Sequence, residues 1–269
     1  MDDRTAALLA DEDARAGMAA SEFDRAFLEA HLTDERRKAS LLGEIREAIF
    51  GAQDGLVSTL AVVSTVAGAS PDRHVVLIAG IASGLAGIFS MAAGEYIGSK
   101  SQREIFEAQI VDERDEVHQR PGEAEAEIAY LLEEDGLPHD DAVEVASRLA
   151  KHPEVMLKTM VEKELGLIVE PEEGSPLQGA LVMGAAFGLG VLPPLLPHLF
   201  LAGDVAVTAS VALTMAVLFG IGVFKSRWTN RSWLTSGLEV LVLGAFAGIA
   251  GYFFGNLLPV ILGVPEAAV

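Results

Sequence analysis

The chain of 269 residues is 51% hydrophobic, yet its 39 acids and 19 bases leave a net charge of −20. A mean hydropathy of +0.36 excludes a uniformly soluble acidic domain, and the apolar half of the composition excludes a disordered polyanion, so apolar and acidic stretches must be segregated along the chain. An isoelectric point near 4.6 opposes nucleic acid and favours cations, and the lack of cysteine excludes disulfides, a cysteine nucleophile and thiolate metal sites.

In chain order, residues 1–47 form an acidic N-terminal segment, with an amphipathic cytoplasmic helix expected around 20–47. Its opening, MDDRTAALLADEDARAG, has acids where the basic region of a signal peptide would stand. Apolar runs long enough to cross about 30 Å of hydrocarbon follow at roughly 48–69, 75–97, 177–201, 204–224 and 236–262. The expected fold is therefore an all-α membrane protein with five transmembrane helices. The first two occupy 48–97, a cytoplasmic antiparallel helical domain at 98–176 is inserted between helices 2 and 3, and the last three lie in 177–269. All the basic residues except Arg73 fall in the N-terminal segment, the insert and the 225–235 loop. Retention of Lys and Arg on the inner side then puts the N-terminus in the cytoplasm and the C-terminus outside.

The insert carries 21 of the acids and a net charge of −13. Pro121-Gly122, Gly136, Pro153 and Gly166 punctuate it into short helices. Glu113 and Glu116 are spaced i, i+3; Glu123 and Glu127 are spaced i, i+4, with Glu125 competing in EAEAE; and Met160 and Glu164 are i, i+4, one turn beyond Met156. Like charges stacked on a helix face repel unless a cation lies between them. A carboxylate and thioether shell suits a borderline divalent ion such as Fe(II) better than Mg(II) or Ca(II). No His has a Glu three residues before it, which argues against a ferritin-type diiron site. Nor is there a nucleophile elbow, phosphate loop or dinucleotide fingerprint, so no enzyme and no prosthetic group are expected.

Two acids fall inside the apolar runs, where a charge is expensive and marks function by default. Asp54 stands between Gly51 and Gly55, a small-residue spacing that permits close helix approach, and Glu95 shares a helix face with Met91 one turn earlier. Glu239, at the start of the fifth run, reads as interfacial, and Pro193, Pro194 and Pro197 predict a kink or helix end before His198.

Through GAQDGLVSTLAVVSTVAGA (51–69), SMAAGEYIGSKSQREIFEAQI (90–110) and MVEKELGL (160–167), the chain resembles the vacuolar iron transporter family over about residues 40–265. The resemblance implies a homodimer with the pathway at the subunit interface and a cytoplasmic metal-binding domain. It also implies export of Fe(II), often Mn(II), from the cytosol in exchange for protons. Carried over by position, Asp54 and Met91 match the family's pore residues, with Glu95 beside them. Glu113 with Glu116, Glu123 with Glu127, and Met160 with Glu164 match its metal ligands. Where the family often has two adjacent methionines this chain has Met160-Val161, one thioether fewer. The partners expected are divalent metal ions, protons, the lipid bilayer and a second copy of the chain, in a bacterial inner membrane. A membrane-anchored metal buffer or sensor that transports nothing is the alternative.

Overall fold

The computed structural model describes residues 23–70, 72–166, 175–229 and 231–262. The first 22 residues of the N-terminal segment and the tail after Leu262 lie outside the described residues. Among those described, all regular structure is helical: α1 (Arg25–Ala69), α2 (Arg73–Gln119), α3 (Pro121–Glu134), α4 (His139–Leu149), α5 (Pro153–Glu164), α6 (Pro176–Phe200), α7 (Gly203–Lys225) and α8 (Trp233–Leu262). They form two compact units, one of residues up to Glu95 together with those from Leu177, the other of Tyr96–Pro176. Within the described residues, α1, α2, α6 and α7 are long and apolar enough to cross a membrane, and α8 holds a shorter apolar stretch, Trp233–Phe246.

In the first unit α1 is the central element. The sequence suggests a separate amphipathic helix before the first span, but α1 is one continuous helix of 45 residues, about 68 Å at 1.5 Å per residue. Asp24 starts it by accepting the Phe27 N–H at 2.7 Å, and i, i+4 ion pairs such as Lys38 with Asp34 (2.7 Å) line its polar first half. No proline interrupts it, and Gly43, the one glycine in that half, has open space around it, so the polar turns run straight on into the apolar ones. The chain turns at Ser70, and Asp72 starts α2 by accepting the His74 N–H at 2.8 Å.

Apolar clusters join α1 to its neighbours on two sides. Val63 packs with Val76 of α2 and with Phe187, Val191 and Leu195 of α6. Leu56 packs with Leu218 of α7 and Val240 of α8. The outward faces carry large apolar side chains, among them Phe89, Leu189 and Phe246, each at least two-thirds exposed. Lipid is as apolar as these side chains, so association inside a bilayer rests on close packing and polar contacts rather than on escape from water. Gly51, Gly55 and Gly190 supply that packing. A Cβ on Gly51 would stand 2.6 Å from the Met183 carbonyl oxygen, one on Gly55 would run into the Phe187 carbonyl, and one on Gly190 into that of Ala52.

The prolines do not end α6, which continues through all three to Phe200. Proline leaves a carbonyl one turn back without its partner, but a neighbouring helix in a bundle can relieve the local demand. The carbonyls so freed are those of Leu189, Gly190 and Pro193. Close by, the Ser210 hydroxyl of α7 ties the two helices together by donating to the Pro194 carbonyl at 2.7 Å in a buried contact. Glu239 lies 3.8 Å from Lys225 Nζ.

The second unit is built from the end of α2 and the three short helices. Proline opens α3 and α5, where the missing N–H costs nothing. The chain leaves α3 through Gly136 at φ +100°, with its N–H donating to the Glu133 carbonyl and that of Leu137 to Leu132. Ala124 and Ile128 of α3, Ala146 of α4, and Met156, Leu157, Met160 and Val161 of α5 close the core with Val117 of α2. Helix α3 packs against both α4 and α5.

The glycine contacts give a direct test. Gly55→Ala should destabilise the detergent-solubilised protein by about 1–3 kcal/mol, because backbone must shift to admit the methyl group. Gly220→Ala, which meets nothing within 4 Å, should be neutral or slightly stabilising. Equal melting temperatures for the two variants would show that the α1–α6 approach does not hold the bundle.

Candidate metal sites

In the second unit, α2 and α3 meet at Arg120, the single non-helical residue between them. The bend brings Glu116 of α2 beside Glu123 and Glu127 of α3, and one carboxylate oxygen from each lies within 4.8 Å of the others. At that separation two ionised carboxylates repel by on the order of 3 kcal/mol at an effective dielectric of about 20. The electrostatics of the group record this crowding. Burial first, then Glu116, Glu164 and Glu123, pushes the Glu127 carboxyl up to about 7. Burial followed by Glu164, Glu116 and Asp112 raises Glu113, with Arg120 opposing. Glu113 Oε2 and Glu116 Oε1 are buried without a hydrogen-bond partner. Unpaired buried carboxylate oxygens are costly, and a cation is what would offset them.

The structure thus brings Glu113, Glu116, Glu123, Glu127 and Glu164 into one electrostatic neighbourhood. Glu125 is outside the group within 4.8 Å, as an i+2 neighbour of Glu123 on a helix must be. Met156 and Met160 are fully buried among the apolar residues of the core.

In the first unit, Asp54 is partly buried on α1, between the two glycines that contact α6. Among the described residues no cation pairs with it. Met91 packs against the Val63, Phe187 and Val191 cluster, and Glu95, one turn further along α2, is also partly buried. A third acid joins them that sequence reasoning placed outside the span. Glu47 lies two turns before Asp54 on α1, and the Glu95 carboxylate is close enough to repel it. Its Oε2 is buried without a hydrogen-bond partner, 3.1 Å from where a Cβ on Gly179 would stand. One turn earlier, Glu44 accepts from Gln178 Nε2 at 2.6 Å. The i, i+7 spacing of Glu47 and Asp54 was the available signal, hidden by a hydropathy boundary drawn at residue 48.

These features define a class: a helical membrane protein with acids in its apolar bundle and a separate helical unit that crowds carboxylates. Residues 45–256 match the VIT family. The chain belongs to that family. It is 34% identical over 224 residues to a protein named vacuolar iron transporter 1 from Eucalyptus grandis, covering 82% of this chain and 90% of that one. To the protein of the same name from Arabidopsis thaliana it is 34% identical over 212 residues, 78% of this chain and 84% of the relative. To a vacuolar iron transporter from Plasmodium falciparum it is 29% identical over 223 residues, 80% and 82% of the two chains.

The raised Glu127 fixes a pH dependence with a definite sign. Between its ordinary value of 4.5 and about 7 the folded unit holds a proton that the unfolded chain has released. Its contribution to stability is therefore full below that window and lost as pH rises through it. Without metal, the melting temperature of this unit, followed in the full chain, should fall between about pH 5 and about pH 8, and Glu127→Gln should flatten the slope. A wild-type melting temperature that rises over the same range would contradict this electrostatic picture.

Proposed function

We propose that the chain is a divalent metal transporter that moves Fe(II) or Mn(II) out of the cytoplasm in exchange for protons. The family relationship and the names of the relatives support transport of iron. Asp54 carries the mechanistic reading, because a carboxylate among apolar helices is expensive and a soluble-side metal buffer has no use for it. In this reading α8 is the fifth span, the N-terminus and the acidic unit are cytoplasmic, and two copies pair around the pathway in a bacterial inner membrane.

The carboxylates at Glu113, Glu116, Glu123, Glu127 and Glu164 gather the ion on the cytoplasmic side, with the Met160 thioether as the soft ligand of the set. The ion is cargo, and no prosthetic group takes part. It then passes Glu47, Glu95 and Met91 to Asp54, where carboxylate and thioether replace part of its hydration shell. Proton and metal compete for the same carboxylate lone pairs, so protonation of Asp54 from the far side weakens its hold on the ion and favours release.

The test is metal uptake into vesicles containing the purified protein and an interior dye, with Fe(II) or Mn(II) outside and an imposed pH gradient. Wild type should show gradient-dependent flux, and Asp54→Asn should fall to the level of protein-free vesicles while keeping its binding of metal to the acidic unit. Full proton-coupled flux in Asp54→Asn would remove Asp54 from the pathway. Metal binding by wild type without any flux would leave the membrane-anchored buffer as the function.

A further inference from the structure

Arg120 is a base that pairs directly with two acids of this group. Its Nη2 donates to Glu116 Oε2 at 2.6 Å and its Nη1 to Glu123 Oε2 at 2.8 Å, so a single guanidinium spans the two helices whose carboxylates converge. Those are two of the three acids within 4.8 Å of one another, and the guanidinium charge also acts on Glu113. The fork geometry of arginine suits two separate carboxylates in a way a lysine ammonium does not.

The backbone of Arg120 is held independently of this side chain. It sits at φ −132°, ψ 52°, its N–H donates to the Glu116 carbonyl at 2.8 Å, and its own carbonyl accepts the Glu123 N–H at 2.9 Å. The side chain is long and more than half exposed at 54%. It can therefore swing into water without disturbing the joint between α2 and α3.

We propose that Arg120 is a resident counter-cation that sets the affinity of the acidic site, holding the Glu116 and Glu123 carboxylates together until a divalent ion displaces it. The proposal rests on the reading of this group as a metal site. Arg120 occupies oxygens that a metal would need, and its charge opposes an approaching cation, so it weakens binding. It also relieves the repulsion among the carboxylates while no metal is present, so it stabilises the unoccupied unit. These two effects have opposite signs on removal, and that separates Arg120 from a residue that merely maintains the fold.

The experiment titrates Mn(II) alone into the full chain in detergent at low ionic strength, following free Mn(II) by electron paramagnetic resonance. Arg120→Gln should bind Mn(II) about fivefold more tightly than wild type, within the range that two exposed ion pairs allow, and should melt at a lower temperature without metal. Arg120→Lys, which keeps the charge but not the fork, should fall between the two. Affinity unchanged or weakened in both variants would overturn the proposal, since Arg120 would then be organising the ligands rather than competing with the ion. Failure of the underlying site looks different: wild type and Glu127→Gln would bind Mn(II) alike.

Discussion

The backbone contact between α1 and α6 is the constraint on which the membrane unit depends. Helices in lipid gain little from hiding apolar surface, so their association depends on how closely they approach. Gly51 and Gly55 on one side and Gly190 on the other let carbonyl groups approach where any side chain would block them. These glycines lie one turn apart around Asp54, so the contact that holds the bundle also fixes the rotation of α1 about its axis. Asp54 stands between them and is partly buried. The packing contact and the acid proposed for the pathway thus share the same two turns.

The acidic unit solves the reverse problem. It brings carboxylates together although they repel, and the free energy for doing so comes from the apolar core beneath them. Ala124 and Ile128 are buried on the inner face of α3, while Glu123 and Glu127 each precede one of them by a single position. Burial of that face sets the orientation of the two carboxylates. The crowding that results is relieved in part by Arg120 and in part by the proton that Glu127 retains near neutral pH. Both are substitutes for a cation, and both are weaker than a divalent ion with several oxygen ligands.

How much of this was legible in the sequence depended on whether the signal was local. The spacing of Pro121, Gly136, Pro153 and Gly166 marked the short helices closely, because proline and glycine act on the backbone where they stand. The i, i+4 relation of Glu123 and Glu127 put them on one face, but only the bend at Arg120 shows that Glu116 meets them and that Glu125 does not. The continuity of α1 was hidden, because hydropathy changes at residue 48 while helical hydrogen bonding does not, and Glu47 was lost with it. The prolines of α6 misled for a related reason: proline marks where a helix is weakened, and the packing of that stretch against other helices, as of Leu195 with Val63 and Val76, lies outside any local window. Met160 shares a helix face with Glu164 and is at the same time part of the buried core, a placement that spacing alone does not reveal.

The two groups of acids also differ in what surrounds them, and the difference suits the successive steps of the proposed mechanism. In the helical unit the carboxylates are numerous, partly open to water and paired in part with the exposed Arg120 guanidinium, a setting suited to the proposed capture from dilute solution. In the bundle the acids are few, spaced along α1 and α2, and flanked by apolar side chains and backbone. An ion there has fewer oxygens to replace its water, and each charge it meets is less screened, so the protonation of one carboxylate changes its energy by a larger amount. A site that gathers and a site that releases need those opposite properties. Tight capture alone would end in a filled and inert store, so under the proposed mechanism a resident cation that limits affinity at the first site would serve transport at the second.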